Sequence, residues 1–306
     1  MATTVLGSNR RGLVESVFGA VRDIGARVLR ELRYALATPS GRIGLPLVAL
    51  HLTLALVGPL LAPFPATDFH LADRFAGPSA TYWLGTDEFG RDIFSRVMSG
   101  ATSIITISLA GTALGIVLGT SIGLTSGYLG GKVDEVIMRV MDGLMSFPSL
   151  LLALLVLTTL GPSHLNIILT IGVVFTPSVA RVMRSATLTV KTMEFVQSAR
   201  LRGESATYII FREVLPNTMP VLTVEASVRL SYAILLASSI GFLGLGVQPP
   251  SPDWGLMISE GRSHITDSPL IVLAPSFAVA SLVIGVNLLA EGLREARELP
   301  EGEQTE

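Results

Sequence analysis

EFVQSARLRGESATYIIFREVLP, residues Glu194–Pro216, is a charged segment with helical patterning, set between two long apolar runs. Gly203 stands at its centre and Pro216 at its end. Glu194 falls in a first turn that Thr192 is placed to cap, where the helix dipole favours an anion. Phe195, Val196, Ala199 and Leu201 form an apolar stripe through a short first helix. Gly203 sits where the chain must turn, a position that often needs positive φ. Ser205 is a second capping residue, and a second short helix over Tyr208–Val214 is expected to stop before Pro216. The pattern predicts a helix–glycine–helix elbow. Two readings fit it: an amphipathic loop lying on lipid, or a lever that docks on a soluble partner.

Outward from the elbow, the chain is apolar. Of 306 residues, 49% are hydrophobic and 15% charged, against roughly 25% charged in a soluble domain. Mean hydropathy is +0.60. Runs near the roughly 20 residues needed to cross a bilayer predict an all-α integral membrane protein. Its six spans are placed at about 43–62, 101–125, 143–160, 165–183, 218–242 and 270–290. The third reads as the buried half of a longer helix that begins near Val133.

Gly161-Pro162-Ser163 predicts a tight turn between the third and fourth spans, and Gly127 to Gly131 a turn at the opposite end. Gln248-Pro249-Pro250-Ser251-Pro252 is expected to end the fifth span, because proline cannot continue a helix. Pro148 and Pro177 are expected to kink theirs, for packing or for gating. With no cysteine, thiolate chemistry and disulfides are excluded. The first 42 residues, which hold seven arginines, are too long and too structured for a cleaved leader, and no small-residue cleavage site follows the run cleanly, so the first span is expected to stay as an anchor.

Counting Lys and Arg near span ends gives orientation. Seventeen fall on the side of the N-terminus and four on the other, with Arg229 inside a span. Both termini and the elbow are therefore expected in the cytoplasm. This divides the chain into a basic N-terminal segment 1–42, a membrane domain 43–292 with its polar loop at about 184–217, and a tail 293–306.

Resemblance narrows this further. Gln197-Ser198-Ala199, Gly203, Ile209-Ile210-Phe211-Arg212 and Leu215-Pro216-Asn217 resemble the EAA loop of ABC-importer permeases, where a short coupling helix fits a groove on the ATPase subunit. Gln197-Ser198 stands where the family carries Glu-Ala, so the acidic contact weakens or moves; Glu194 is the substitute. Trp83 to Asp92 with Ser95-Arg96, Gly127 to Asp142, Ser146-Phe147-Pro148, and Phe242 to Val247 with Trp254-Gly255 resemble the second-type permease of dipeptide, oligopeptide and nickel importers. The likeness covers roughly residues 43–298. It implies the type I importer permease fold and a heterodimer with a second permease. Two cytoplasmic ATPases, an extracytoplasmic solute-binding protein and a prokaryotic cell membrane are implied as well. Peptides, glutathione, nickel chelates and some glycosides are carried by such permeases. The coupling residues it points to are Glu194, Gln197, Ser198, Ala199, Gly203, Leu215 and Pro216.

Two other features need a reading. Thr86 is placed to cap a helix over Thr86–Ser99, with Asp87–Arg91 and Asp92–Arg96 as i,i+4 pairs. That segment braces the second span or meets the binding protein. Glu225 and Arg229 stand four apart on the fifth span, with Arg229 about 11 residues in. Charges at that depth are costly and normally face a bundle interior or wet cavity. They are either a mutually neutralising structural pair or line a translocation path that selects charged or zwitterionic solutes.

An enzyme would need a metal or nucleophile constellation. The four histidines, His51, His70, His164 and His264, are scattered, and no HExxH occurs. No cofactor and no nucleic acid are expected. A secondary transporter or channel, the alternative reading, would need an inverted repeat or acidic relay; no repeat is visible, and membrane acids are limited to Glu225 and Asp142. GxxxxGK[ST] is absent too, so an ATP-driven mechanism draws on another polypeptide.

Overall fold

The computed structural model describes residues 35–298. The basic segment up to residue 34 and the tail from residue 299 lie outside the described residues. Among the described residues, nine helices carry the architecture: α1 Pro39–Leu61, α2 Ile93–Leu129, α3 Gly131–Met145, α4 Ser149–Leu160, α5 His164–Val190, α6 Glu194–Leu201, α7 Leu215–Phe242, α8 Trp254–Gly261 and α9 Leu270–Glu298. Five helical stretches among the described residues are long and apolar enough to cross a membrane, and six if the bent pair α3–α4 counts as one span.

The chain divides into two compact units. One takes in Met1–Pro46 and Leu288–Glu306. There Gly292 lies so close to α1 that a Cβ would come within 2.6 Å of the Gly41 nitrogen, and Ser40 donates a hydrogen bond to Glu295. The other unit, Leu47–Asn287, holds the rest of the bundle.

That larger unit is organised around α2 and α5. Gly111, Gly115, Gly119, Gly123 and Gly127 recur every fourth residue and so share one edge of α2. A Cβ at these positions would meet Ile171 at 2.8 Å, Phe175 at 3.0 Å, Val179 at 2.5 Å, Met183 at 2.9 Å and Thr187 at 2.9 Å. The glycine row therefore lets α5 approach to backbone distance, the means by which membrane helices associate where lipid supplies no hydrophobic drive. Sequence reading missed this period.

Several expectations are corrected. The helix expected from Val133 through the third span is broken: α3 and α4 meet at 86°. The break falls at Ser146-Phe147-Pro148, where a proline denies the preceding residue the α region. Pro177, by contrast, lies within unbroken α5. The Gly127–Gly131 turn is tighter than expected. α2 continues to Leu129 and reverses at Gly130 and Gly131, both with positive φ.

Thr86 caps no helix. Its hydroxyl donates to the Asp73 carbonyl, and α2 begins only at Ile93, where Asp92 accepts from the Ser95 amide at 2.8 Å. The supposed bracing helix is thus a loop running into the second span itself. Asp87–Arg91 is an ion pair at 2.6 Å, but Arg96 pairs with Asp87 and Glu260 at 3.7 Å rather than with Asp92. Nor do the prolines at 249–252 end the fifth span. α7 stops at Phe242, where Gly244 at φ 81° returns its amide to Gly241 and Leu245 to Ile240, a Schellman cap.

Candidate functional site

The elbow is built as a helical insert packed onto the glycine-locked pair. Val196 and Ala199 of α6, with Ile209, Ile210 and Val214, are buried against Leu124 of α2 and against Val179, Met183 and Val190 of α5. Lys191 donates to the Gly127 carbonyl at 2.7 Å. The Arg200 guanidinium lies 4.8 Å from the Tyr128 ring centroid and donates to its hydroxyl at 3.3 Å. Nearby, Arg184 holds Asp134 with its Nε 2.6 Å away, tying α3 to α5.

Within the elbow, Gly203 has φ 78° and no atom within 4 Å of a notional Cβ. Its requirement is therefore conformational rather than steric. Ser205 caps the next turn, accepting from the Tyr208 amide at 3.2 Å. Thr192 does not cap α6; its hydroxyl bonds back to Thr189, and Met193 occupies the cap position without a side-chain bond. Gln197 folds onto the Thr192 carbonyl at 3.0 Å, while Glu194 and Ser198 stay exposed. Leu201, expected in the apolar stripe, is instead 90% exposed. Met193, Tyr208 and Phe211 of the elbow region are exposed as well.

The second elbow helix does not stop before Pro216. A single α turn, Ala206–Tyr208, passes into a π-helical turn over Ile209–Val214 and then into α7. Leu215 donates to the Ile210 carbonyl, five residues back. A proline in a helix clashes with the carbonyl four residues before it, here that of Arg212, and the widened turn directly before Pro216 relieves that clash. Elbow and fifth span are thereby one continuous rod from Ala206 to Phe242.

Glu225 and Arg229 sit away from the elbow, Arg229 about 21 Å along α7 from Leu215. They do come together: Arg229 Nε donates to Glu225 at 2.6 Å. The guanidinium carbon is 5.8 Å from the ring centroids of both Phe175 and Tyr232.

At the end of the bundle opposite the elbow, α8 locks the start of α2. Trp254 is fully buried, donates to the Val97 carbonyl at 2.9 Å, and lies over Gly100. Asp253 caps α8 through the Leu256 amide at 2.8 Å. Burial pushes its carboxyl above the ordinary range, against the pull of the Leu256, Val247 and Gly255 amides. Among the described residues no group of His, Cys, Asp or Glu is arranged to hold a metal.

Membrane-length helices bearing a packed helical elbow define a multi-span, all-α membrane protein. The chain belongs to the family of binding-protein-dependent transport system inner membrane components, whose model matches residues 115–297. It is 37% identical over 254 residues to a dipeptide transport system permease protein of Alkalihalophilus pseudofirmus, covering 83% of this chain and 84% of that protein. It is 36% identical over 294 residues to a glutathione transport system permease protein of Pectobacterium atrosepticum, covering 94% and 96%. A probable D,D-dipeptide transport system permease protein of Escherichia coli is 38% identical over 249 residues, covering 81% and 84%. In fold it is similar to a chain of the inward-facing MetNI methionine ABC transporter, with TM-score 0.55 and 16% identity over 67% of this chain and 97% of that one. The protein is thus a non-catalytic membrane permease subunit of an ATP-driven importer, with the type I permease fold, and it works with an ATPase and a binding protein.

Proposed function

We propose that this subunit pairs with a second, homologous permease to enclose a path for peptides or similar small solutes. Two cytoplasmic ATPases and an extracytoplasmic binding protein complete the importer. It lies in the inner membrane of a prokaryotic cell with the elbow and both termini in the cytoplasm, as the Lys and Arg distribution supports. The basic segment 1–42 and the tail 293–306 then flank a permease domain at 43–292. The similarity to dipeptide and glutathione permeases supports the solute class.

The observation that carries the coupling role is the elbow's two-sidedness. Its inner residues Val196, Ala199, Ile209, Ile210 and Val214 are fixed to α2 and α5, while Leu201, Tyr208 and Phe211 remain exposed. The ATPase grips that exposed side, near Glu194, Gln197 and Ser198. Ala199 and Gly203 set the elbow's shape. Leu215 and Pro216 pass its displacement into α7, along which Glu225 and Arg229 line the solute path.

Replacing Gly203 with valine tests the lever. Positive φ costs a β-branched residue about 1–3 kcal/mol, enough to distort the elbow without touching membrane packing. Gly203→Val is expected to insert and assemble normally while hydrolysing ATP with little solute uptake. Wild-type coupling of hydrolysis to uptake in reconstituted vesicles would count against the lever.

A further inference from the structure

Arg229 is the fifteenth of the 28 residues of α7, which places its Cα at the middle of the span. One face of that helix has no partner among the described residues: Val221, Val224, Val228, Tyr232 and Leu235 are all exposed. Arg229 borders this face through Tyr232, whose ring centroid is 5.8 Å from its guanidinium carbon, and its side chain is 20% exposed against 11% for Glu225. A charge at mid-bilayer costs at least about 2.5–3.5 kcal/mol in contact with lipid. The side on which the guanidinium emerges therefore faces protein or water, not acyl chains.

The geometry of the guanidinium is specific. Its Nε is committed to Glu225 at 2.6 Å, and Glu225 is its only hydrogen-bond or ion-pair partner among the described residues. Phe175 and Tyr232 flank the guanidinium carbon, each ring centroid 5.8 Å away. Cation–ring attraction of this kind restrains the group. What remains free is the end of the fork, two parallel N–H donors at the spacing of a carboxylate's oxygens.

Resting on the reading of this face as the solute path, we propose that Arg229 binds the carboxylate of the transported solute, with Glu225 as its positioning residue. The juxtaposition carries it: a guanidinium held at one edge by a carboxylate, flanked by two rings, and open at the other edge halfway across the span. Glu225 also cancels most of the charge. The anion is then held briefly rather than trapped, which conduction requires. A lysine would keep the charge but lose the fork.

The test uses the complete importer, with ATPase and binding protein, reconstituted in vesicles and given dialanine or glutathione. Charge reversal of the pair, Glu225→Arg with Arg229→Glu, preserves mutual neutralisation but moves the cation one turn away. Uptake of the probe that the wild type carries is expected to fall about tenfold or more, with melting temperature unchanged. Arg229→Lys should retain intermediate uptake. If the reversed pair assembles and transports like the wild type, the pair only neutralises itself and the proposal fails. Should the reversed chain not assemble, Glu225→Gln with Arg229→Met decides instead: assembly with wild-type uptake overturns the proposal, and assembly with lost uptake supports it. Failure of the underlying path reading looks different: Arg229→Cys, the one cysteine in a chain that otherwise has none, would then be shielded from a small water-soluble thiol reagent, whereas a path that does not bind carboxylate there would leave it reactive.

Discussion

A methyl group at Gly119 would lie 2.5 Å from the Val179 Cβ and 2.8 Å from the Thr176 carbonyl. One of two backbones would have to move, and overpacking of this kind costs about 1–3 kcal/mol. Gly119→Ala is expected to lower the melting temperature of the purified protein. Gly143→Ala, at an exposed helix position with nothing within 4 Å, should leave it level or slightly raised. Equal effects would show that the α2–α5 contact is looser than its geometry. Asp253 gives a prediction of different character. Its folded pKa lies above the ordinary value of 3.8, so the folded chain holds its proton to higher pH than the unfolded one. The associated stability is full below that ordinary value and is lost as pH rises through the raised one. Over that window the wild type should lose stability relative to Asp253→Asn. A constant difference between their melting curves across that window would contradict this.

At the scale of elements, the elbow is joined to the bundle by two routes. One is the continuous rod into α7. The other is the stack of Arg200 on Tyr128 with the Lys191–Gly127 bond, which engages the end of α2. Tyr128→Ala is expected to leave α6 formed but to weaken coupling, with uptake falling more than ATP hydrolysis; proportional falls in both would rule out this second route. Much of the elbow was legible in the sequence, because its signals are local: Gly203 requires left-handed backbone, and Ser205 caps the turn that follows. What was hidden depended on long-range packing. Leu201 has the same side-chain chemistry as its buried neighbours and differs only in the direction it points. The helix through Pro216 defeated a sound local rule, since a π turn absorbs the clash that the rule assumes. The cap expected from Thr86 is supplied by Asp92, six residues on, and only the fold of residues 62–92 selected between them.

For the whole molecule, apolar run length located five spans, because bilayer thickness is a constraint each span meets alone; the run at 143–160 instead straddles the break between α3 and α4. How the spans touch was not legible in the same way. The glycine row was present as a period of four, yet its meaning needed the identity of the partner helix. The proposed orientation is open to direct test, since the chain contains no cysteine. Cysteine placed at exposed Ser198, in cells lacking the ATPase subunit, should react with a membrane-impermeant maleimide only after the cells are opened. At exposed Asp68 it should react in intact cells. The reverse pattern would invert the topology and put the elbow out of reach of ATP.

The π turn at Ile209–Val214 carries a further consequence for α7. A helix advances about 100° per residue, so the extra residue held in that turn sets the rotational phase of every side chain up to Phe242. Deleting one residue there would leave length, hydropathy and composition almost unchanged. Yet it would swing Glu225 and Arg229 by more than a quarter turn, away from Phe175. Six residues at the elbow thus act as an angular index for a site about 20 Å away, and length changes within them should be far less tolerated than substitutions.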